Sequence, residues 1–382
     1  MKKRVGYVVA LAAIAVAIWW YFGGNLAGNG NNKASGEEKP IAMSRGYGDT
    51  SQLQPHRLKL QQFLDRQMLG KDGVYTNYKE TDEAAEVATG HETLSESAGL
   101  LLRYYALTGQ KEAFDRVWMQ TKRTFVTEAG FSYRYSPLHN KQYPLNAAVD
   151  DLRIIRSLHE AETVFGGDYG READQYSARL YLHNVQNGKL FDFYDWTYKT
   201  TNDFITLCYA DFQSLRLLDA PSKEKRKLEE TLLEIVQGGY LSDAFPFYET
   251  RYGYATEKYG DHDGEINTVE SLLTILHLAE IGEERPASVS YLKRLVEAGT
   301  LFGRYDREGQ PVTDIQSTAA YAIAAMIGST IGDQALYQAS VRRMEQYRIG
   351  DESSPLGGSF GNEAVKEVYS FDNLTALLAY AY

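Results

Sequence analysis

Three stretches of this chain place carboxyl groups where acid–base chemistry could use them. The first is residues 91–105, His-Glu-Thr-Leu-Ser-Glu-Ser-Ala-Gly-Leu-Leu-Leu-Arg-Tyr-Tyr. It sets Glu96 in the first turn of a helix whose following residues are apolar. A carboxyl there can simply complement the helix dipole. Partial burial would instead raise its pKa and let it act as a general acid near neutral pH. His91 and Glu92 lack the second histidine of a zincin pattern, so they imply no metal. The second stretch, residues 147–165, opens a long amphipathic helix with Asp150 and Asp151. Acidic first turns are ordinary, but two of them brought together make candidates for a two-carboxylate site. His159 and Glu160 lie two to three turns further along and read as structural. The third stretch, residues 243–252, gathers rings, Glu249 and Arg251 into one loop, which could equally be an ordinary tight connection.

These residues need a scaffold, and the apolar periodicity supplies one. Segments with a 3.6-residue repeat recur at 56–68, 95–107, 111–125, 147–165, 171–184 and 206–218. Six more follow at 223–236, 267–281, 287–302, 317–331, 334–347 and 371–381. Ser95 is a plausible N-cap, Thr108-Gly109 a stop, and Pro221-Ser222 a start. Strand signals are weak: residues 131–135 alternate but are short, and no βαβ rhythm is present. Twelve helices in sequence suggest six antiparallel pairs closed into a toroid, with a solenoid as the alternative.

Aromatic residues are abundant: 29 Tyr, 15 Phe and 4 Trp. Many fall between the helices, such as Phe191, Phe193, Tyr194, Trp196 and Tyr198, and Phe245, Phe247, Tyr248, Tyr252, Tyr254 and Tyr259. Rings at the mouth of a helical barrel could stack on sugar faces. The competing reading is that they pack the loops onto the barrel. As a set they favour a glycan groove, with Tyr194, Trp196, Tyr248 and Arg251 as candidate substrate contacts.

Hydrophobic residues at 43% and charged residues at 24% exclude a disordered or polytopic membrane chain. The formal charge of −11 argues against a nucleic-acid partner, because phosphate contacts need surplus Lys and Arg. A single cysteine, Cys208, excludes an internal disulfide and reads as a small buried residue. The chain begins Met-Lys-Lys-Arg and continues with an uncharged run to Phe22 that ends in Trp19, Trp20 and Tyr21. Eighteen apolar residues span about 27 Å as a helix, close to a bilayer core. Residues 1–22 are therefore expected to anchor the chain in a membrane with the body outside the cytoplasm, a cleaved signal peptide being the rival. Residues 23–44, rich in Gly, Asn and Ser, read as a flexible tether, and 45–382 as one domain. Residues 1–43 carry five Lys or Arg and two Glu, a surplus of +3, which leaves −14 on the body.

Leu94-Ser-Glu-Ser-Ala-Gly-Leu-Leu-Leu102, followed by Phe114-Asp-Arg-Val-Trp-Met-Gln-Thr-Lys122, resembles glycoside hydrolase family 8. In residues 147–165, Ala147, Asp151, Ile154, Ser157, Leu158, Ala161 and Phe165 match that family's second signature. The resemblance covers about residues 45–382. It extends to a divergent membrane-anchored branch found with bacterial exopolysaccharide genes, which makes the exopolysaccharide synthesis machinery a possible partner. It implies an all-α (α/α)6 barrel and inverting, more readily endo-acting hydrolysis of a β-1,4-linked polysaccharide without metal or organic cofactor. Glu96 matches the proton donor. Asp151 matches the second Asp of the signature. The first Asp, which helps hold the sugar, falls on Val149, or on Asp150 after a one-residue shift. At the base position stands Tyr248, with Glu249 one residue late. Glu257, Asp261, Asp263 and Glu265 are the alternatives, or the base is missing. These departures motivate a second reading, a non-catalytic polysaccharide-binding or export-assisting protein on the same scaffold. A lyase or epimerase on a related toroid is a third.

Overall fold

The structure, a computed structural model, describes residues 45–260, 264–351 and 353–382. The expected anchor and tether, 1–22 and 23–44, lie outside the described residues. Among the described residues no helix is long and apolar enough to cross a membrane.

Twelve α-helices are present among these residues: α1 (Gln54–Phe63), α2 (Ser95–Leu107), α3 (Lys111–Phe125), α4 (Ala148–Phe165), α5 (Tyr169–Asn184) and α6 (Phe212–Arg216). They continue with α7 (Ser222–Gly238), α8 (Thr268–Ala279), α9 (Pro286–Ala298), α10 (Thr318–Ile331), α11 (Gln334–Met344) and α12 (Ser370–Ala379). Paired short strands and turns connect them. Residues Thr93–Leu94, for example, pair with Arg134–Ser136, which pairs onward with Lys141–Gln142. The even-numbered helices form a closed inner ring. Helix α2 packs on α4, α4 on α6, α6 on α8, α8 on α10, α10 on α12, and α12 back on α2. The odd-numbered helices lie outside them. Six inner helices each preceded by an outer one make a helical toroid, as the twelve apolar segments implied.

Sequence explains which helices go where. Inner α10 is buried from Thr318 through Ser329, on every face, and carries no charged residue, with Ala its commonest. Outer α7 buries only Leu228, Leu232, Ile235 and Val236, one stripe at helical spacing, and exposes charge elsewhere. The small residues of α10 let its neighbour approach closely. At Gly328 an added Cβ would stand 2.7 Å from the backbone N of Tyr337 in α11. Gly328→Ala is expected to destabilise the fold by about 1–3 kcal/mol through overpacking, read as a lower urea midpoint.

One expected helix is broken. Residues 206–218 form a 3-10 turn, Leu207–Tyr209, and then the five-residue α6. Between them Asp211 accepts from Ser214 N at 3.0 Å and starts a second helix partway through the apolar segment. Cys208 is buried in the first turn. The 207–209 turn packs against α4 and α8 and occupies that sector of the ring.

The far end of the barrel, where α4 and α8 finish, is closed by buried charge. Arg103 of α2 grips Glu160 of α4 through Nε and Nη2 at 2.8–3.1 Å. Arg156 donates to the same Glu160 at 3.1 Å and to both oxygens of Glu280, just past α8, at 2.8 Å. Asp211 stands 3.8 Å from Arg156. Burial would raise the Asp211 pKa, but His277 and Arg156 hold it well below the usual carboxylate range. Glu160 is thus structural, as its position along the helix implied.

Candidate active site

The opposite end is where the inner helices begin, and where Glu96 lies. Leu94 has extended backbone (φ −120°, ψ 143°), and its strand pairing to Arg134 fixes how the chain turns into α2. That pairing is reinforced by a buried ion pair, Arg134 Nη2 to Glu92 Oε2 at 2.7 Å, with the guanidinium 4.4 Å from the Tyr143 ring centre. Glu92 is committed to this contact. Glu96 follows in the first helical turn, half-buried. Part of its side chain reaches solvent, yet burial of the carboxyl dominates its titration. Burial and the neighbouring Asp150 charge push its pKa up to about 7, against a smaller opposing effect of Arg153.

Asp150 comes from the first turn of the adjacent inner helix, α4. It is buried, accepts from Ser95 Oγ at 3.2 Å, and accepts from Arg153 Nη1 at 2.9 Å. Burial raises its pKa while Arg153 and Ser95 oppose the rise. The expected meeting of two acidic helix starts is therefore between Glu96 and Asp150.

Asp151 does not join them. Neighbouring helical residues point about 100° apart, and Asp151 turns into the packing between α4 and α5. It accepts from Asn146 Nδ2 at 3.0 Å, and Asn146 also donates to Asn184 and accepts from Tyr194 N. Gly130 closes over it, since a Cβ there would stand 2.6 Å from Asp151 Oδ2. The carboxyl is buried and its pKa raised well above the ordinary value, chiefly by that burial. Its contacts are to Asn146 and the Gly130 turn, whereas Asp150 is the acid of this helix start that adjoins Glu96.

Glu249 is buried and ion-paired to Arg307. Burial raises its pKa and Arg307 opposes the rise. Among the other base candidates, Glu265 pairs with Arg304 at 3.0 Å, Glu257 is exposed, and Asp261 and Asp263 lie outside the described residues.

Groups that the sequence did not single out extend the site from Glu96 and Asp150 by way of Tyr209. Asp192 is buried and accepts from both N and Oγ1 of Thr206, at 2.8 and 2.6 Å. Burial brings its pKa up to about 6; Thr206 and Arg251 oppose this, and the Glu270 charge adds to it. Tyr209, in the 3-10 turn, is pushed well above its ordinary pKa by burial and then by the charges of Asp150, Asp192, Cys208 and Glu96. Glu270 occupies the first turn of α8, where Asn267 caps the helix by accepting from Val269 N and Glu270 N. In the inner ring α8 is the helix opposite α2. A usable signal existed for Glu270: like Glu96, it is an acid in the first turn of an otherwise apolar helix.

The rings divide. Tyr248 is buried edge-on against Tyr240, with ring centres 5.6 Å apart, so it is a packing residue and not a surface for substrate. Phe245 and Phe247 are likewise buried, against Tyr291 and Tyr305. Loop rings here act as core. Tyr194 and Trp196 are half-buried, Tyr194 stacked on His183 at 4.5 Å, and Tyr198 on the same hairpin is 78% exposed. Arg251 is half-buried with its guanidinium 4.7 Å from the Phe204 ring centre, and its charge reaches Asp192.

No family model matches the chain. It is 26% identical to YdaJ of Bacillus subtilis (strain 168) over 290 residues, 75% of this chain and 78% of that protein. A solved structure described as a novel alpha-amylase from Clostridium perfringens is 30% identical, with a TM-score of 0.78 over 85% of this chain and 97% of that one. Endoglucanase Cel10 from Klebsiella pneumoniae, a family 8 glycosyl hydrolase, is 14% identical with a TM-score of 0.60 over 85% of this chain and 98% of that one. At that identity the likeness speaks for the fold alone.

Proposed function

As a divergent member of the glycoside hydrolase family 8 fold, the chain is, we propose, an inverting, endo-acting hydrolase of a secreted glucan-type polysaccharide. One observation carries the reading: Glu96 stands at the mouth of the inner ring with its pKa brought to about 7 by burial and Asp150, as a general acid requires. Glu96 protonates the glycosidic oxygen. Inversion needs a second carboxylate about 6.5–9.5 Å away, across the sugar, to activate water. We assign that role to Glu270, because its helix faces α2 across the ring. Asp192 has both oxygens engaged by Thr206, and Glu249 is paired with Arg307. Asp150 steadies sugar hydroxyls, and Tyr194, Trp196 and Arg251 line the approach.

The substrate panel puts an α-linked glucan first, because the 30% identical chain is an alpha-amylase, and β-1,4-linked glucan and xylan second. The body, residues 45–382, is proposed to form an (α/α)6 domain tethered outside the cytoplasm by residues 1–22 and to act near exopolysaccharide synthesis. Incubation of that body with the panel should release reducing ends, and proton NMR should find the product anomer opposite to the linkage cleaved. Activity should fall as pH rises through about 7, where Glu96 loses its proton. Glu270→Gln should remove the acidic limb of the same profile. Binding to a polymer without cleavage would sink the hydrolase reading in favour of a binding protein.

A further inference from the structure

Arg153 is the charged side chain that holds Asp150, and its charge also reaches Glu96. Its Nη1 donates to Asp150 Oδ1 at 2.9 Å, while Ser95 Oγ donates to the other oxygen of that carboxylate at 3.2 Å. Both Arg153 and Asp150 are buried. The arginine stem lies in a slot on α2 that exists because residue 99 is glycine. A Cβ there would stand 3.2 Å from Arg153 Cγ and Cδ and 3.3 Å from its Cβ. Gly99 follows Glu96 by three residues, so slot and acid share one face of α2. Helix α2 thus forgoes a side chain where the arginine of α4 must lie, one turn from Glu96.

We propose that Arg153 is a positioning residue that fixes Asp150 as the ionised member of the pair and so reserves the pair's proton for Glu96. The inference rests on the reading of Glu96 as the general acid. Two interacting carboxyls release their protons as a pair, and the member held by a cation and a hydroxyl donor keeps the negative charge. The titratable and charged groups that act on the pair or on its neighbours are Arg153 of α4, Asp192, Cys208 and Tyr209 of the segment before α6, and Glu270 of α8. Arg153 is the cation hydrogen-bonded to Asp150.

The experiment is the pH profile of kcat/KM for the wild type, Arg153→Met, Arg153→Lys and Gly99→Ala. In Arg153→Met the alkaline limb should move upward by roughly one pH unit, since the pair loses a neighbouring cation. The plateau should fall by about twofold or more, because the proton then divides between Glu96 and Asp150. Arg153→Lys keeps the charge and should leave the limb near its wild-type position. Gly99→Ala pushes the stem aside and should move the limb in the same direction as Arg153→Met, by less. A lower plateau with an unmoved limb would make Arg153 merely structural and overturn the proposal, as would a lysine variant that shifts like the methionine one. If Arg153→Met fails to fold, the other two variants carry the same test. If the wild type cleaves no polymer, the acid reading itself falls. Carbon-13 carboxyl titration then tests the clamp alone: Asp150 should deprotonate before Glu96 in the wild type and lose that order in Arg153→Met. An order unchanged by the substitution would refute it.

Discussion

Glu96→Gln is expected to lower turnover by about 10²–10⁴-fold and, in the same protein, to raise stability above pH 7. The first effect follows from removing the proton that the leaving oxygen needs. The second follows from linkage. Glu96 titrates near 4.5 unfolded and at about 7 folded, so between those values the folded state holds a proton that the unfolded state has lost. Stability therefore falls as pH rises through that window, by roughly 3 kcal/mol at most. Glutamine has no proton to lose and escapes the fall. Thermal melts at pH 5 and pH 8 should show little difference between the two proteins at the lower pH and a clear advantage for Glu96→Gln at the higher one. An inactive variant with no pH-dependent gain would mean that the carboxyl is not held in a desolvating site. A fully active variant would remove Glu96 from the chemistry.

Arg156→Met should unfold the protein or nearly so. The guanidinium is fully buried and satisfies Glu160, Glu280 and Asp211 together. Removing one partner of a buried ion pair costs about 3–5 kcal/mol, because a charge is left without compensation. Here three carboxylates lose a shared cation, which places the loss at or above the upper value and compares with the whole stability of an ordinary domain. Urea denaturation should give a midpoint lowered by more than any single core truncation produces. If the variant were as stable as the wild type, the far-end cluster would be a passenger in the barrel. Substituting Arg103, Arg156, Glu160 and Glu280 together with apolar residues of similar volume should cost less than Arg156→Met alone, since both cations leave with the carboxylates they pair.

The helices were legible because each buries a continuous apolar face, and periodicity reports that directly. The sixth was misread because the apolar spacing of 206–218 runs through Asp211, whose capping bond restarts the helix without disturbing the pattern. Glu96 and Asp150 were legible as acids opening apolar helices. Asp151 carried the same local signal, and only the fold reveals that its side chain turns toward Asn146. Asp192 sits in an irregular segment with no period to mark it, and Tyr209, inside the apolar spacing of 206–218, reads there as one more core residue. Arg153 looked like any polar residue in a helix. The rings of 245–248 were misjudged because a loop folded over a barrel end buries aromatics as thoroughly as a core does.

The closed ring also has a consequence for how the chain comes to be folded. Ser97 of α2 donates to Ser370 of α12 across 273 residues of sequence, and α12 fills the gap between α2 and α10. Such a contact forms late, because the loop it closes is long and its entropy must be overcome before the contact rewards it. A chain emerging in order, from a ribosome or through a translocation pore, cannot complete its barrel until Ser370–Ala379 has arrived. Until then the flanks that α2 and α10 turn toward α12 stay bare, so the ring closes only when that helix docks.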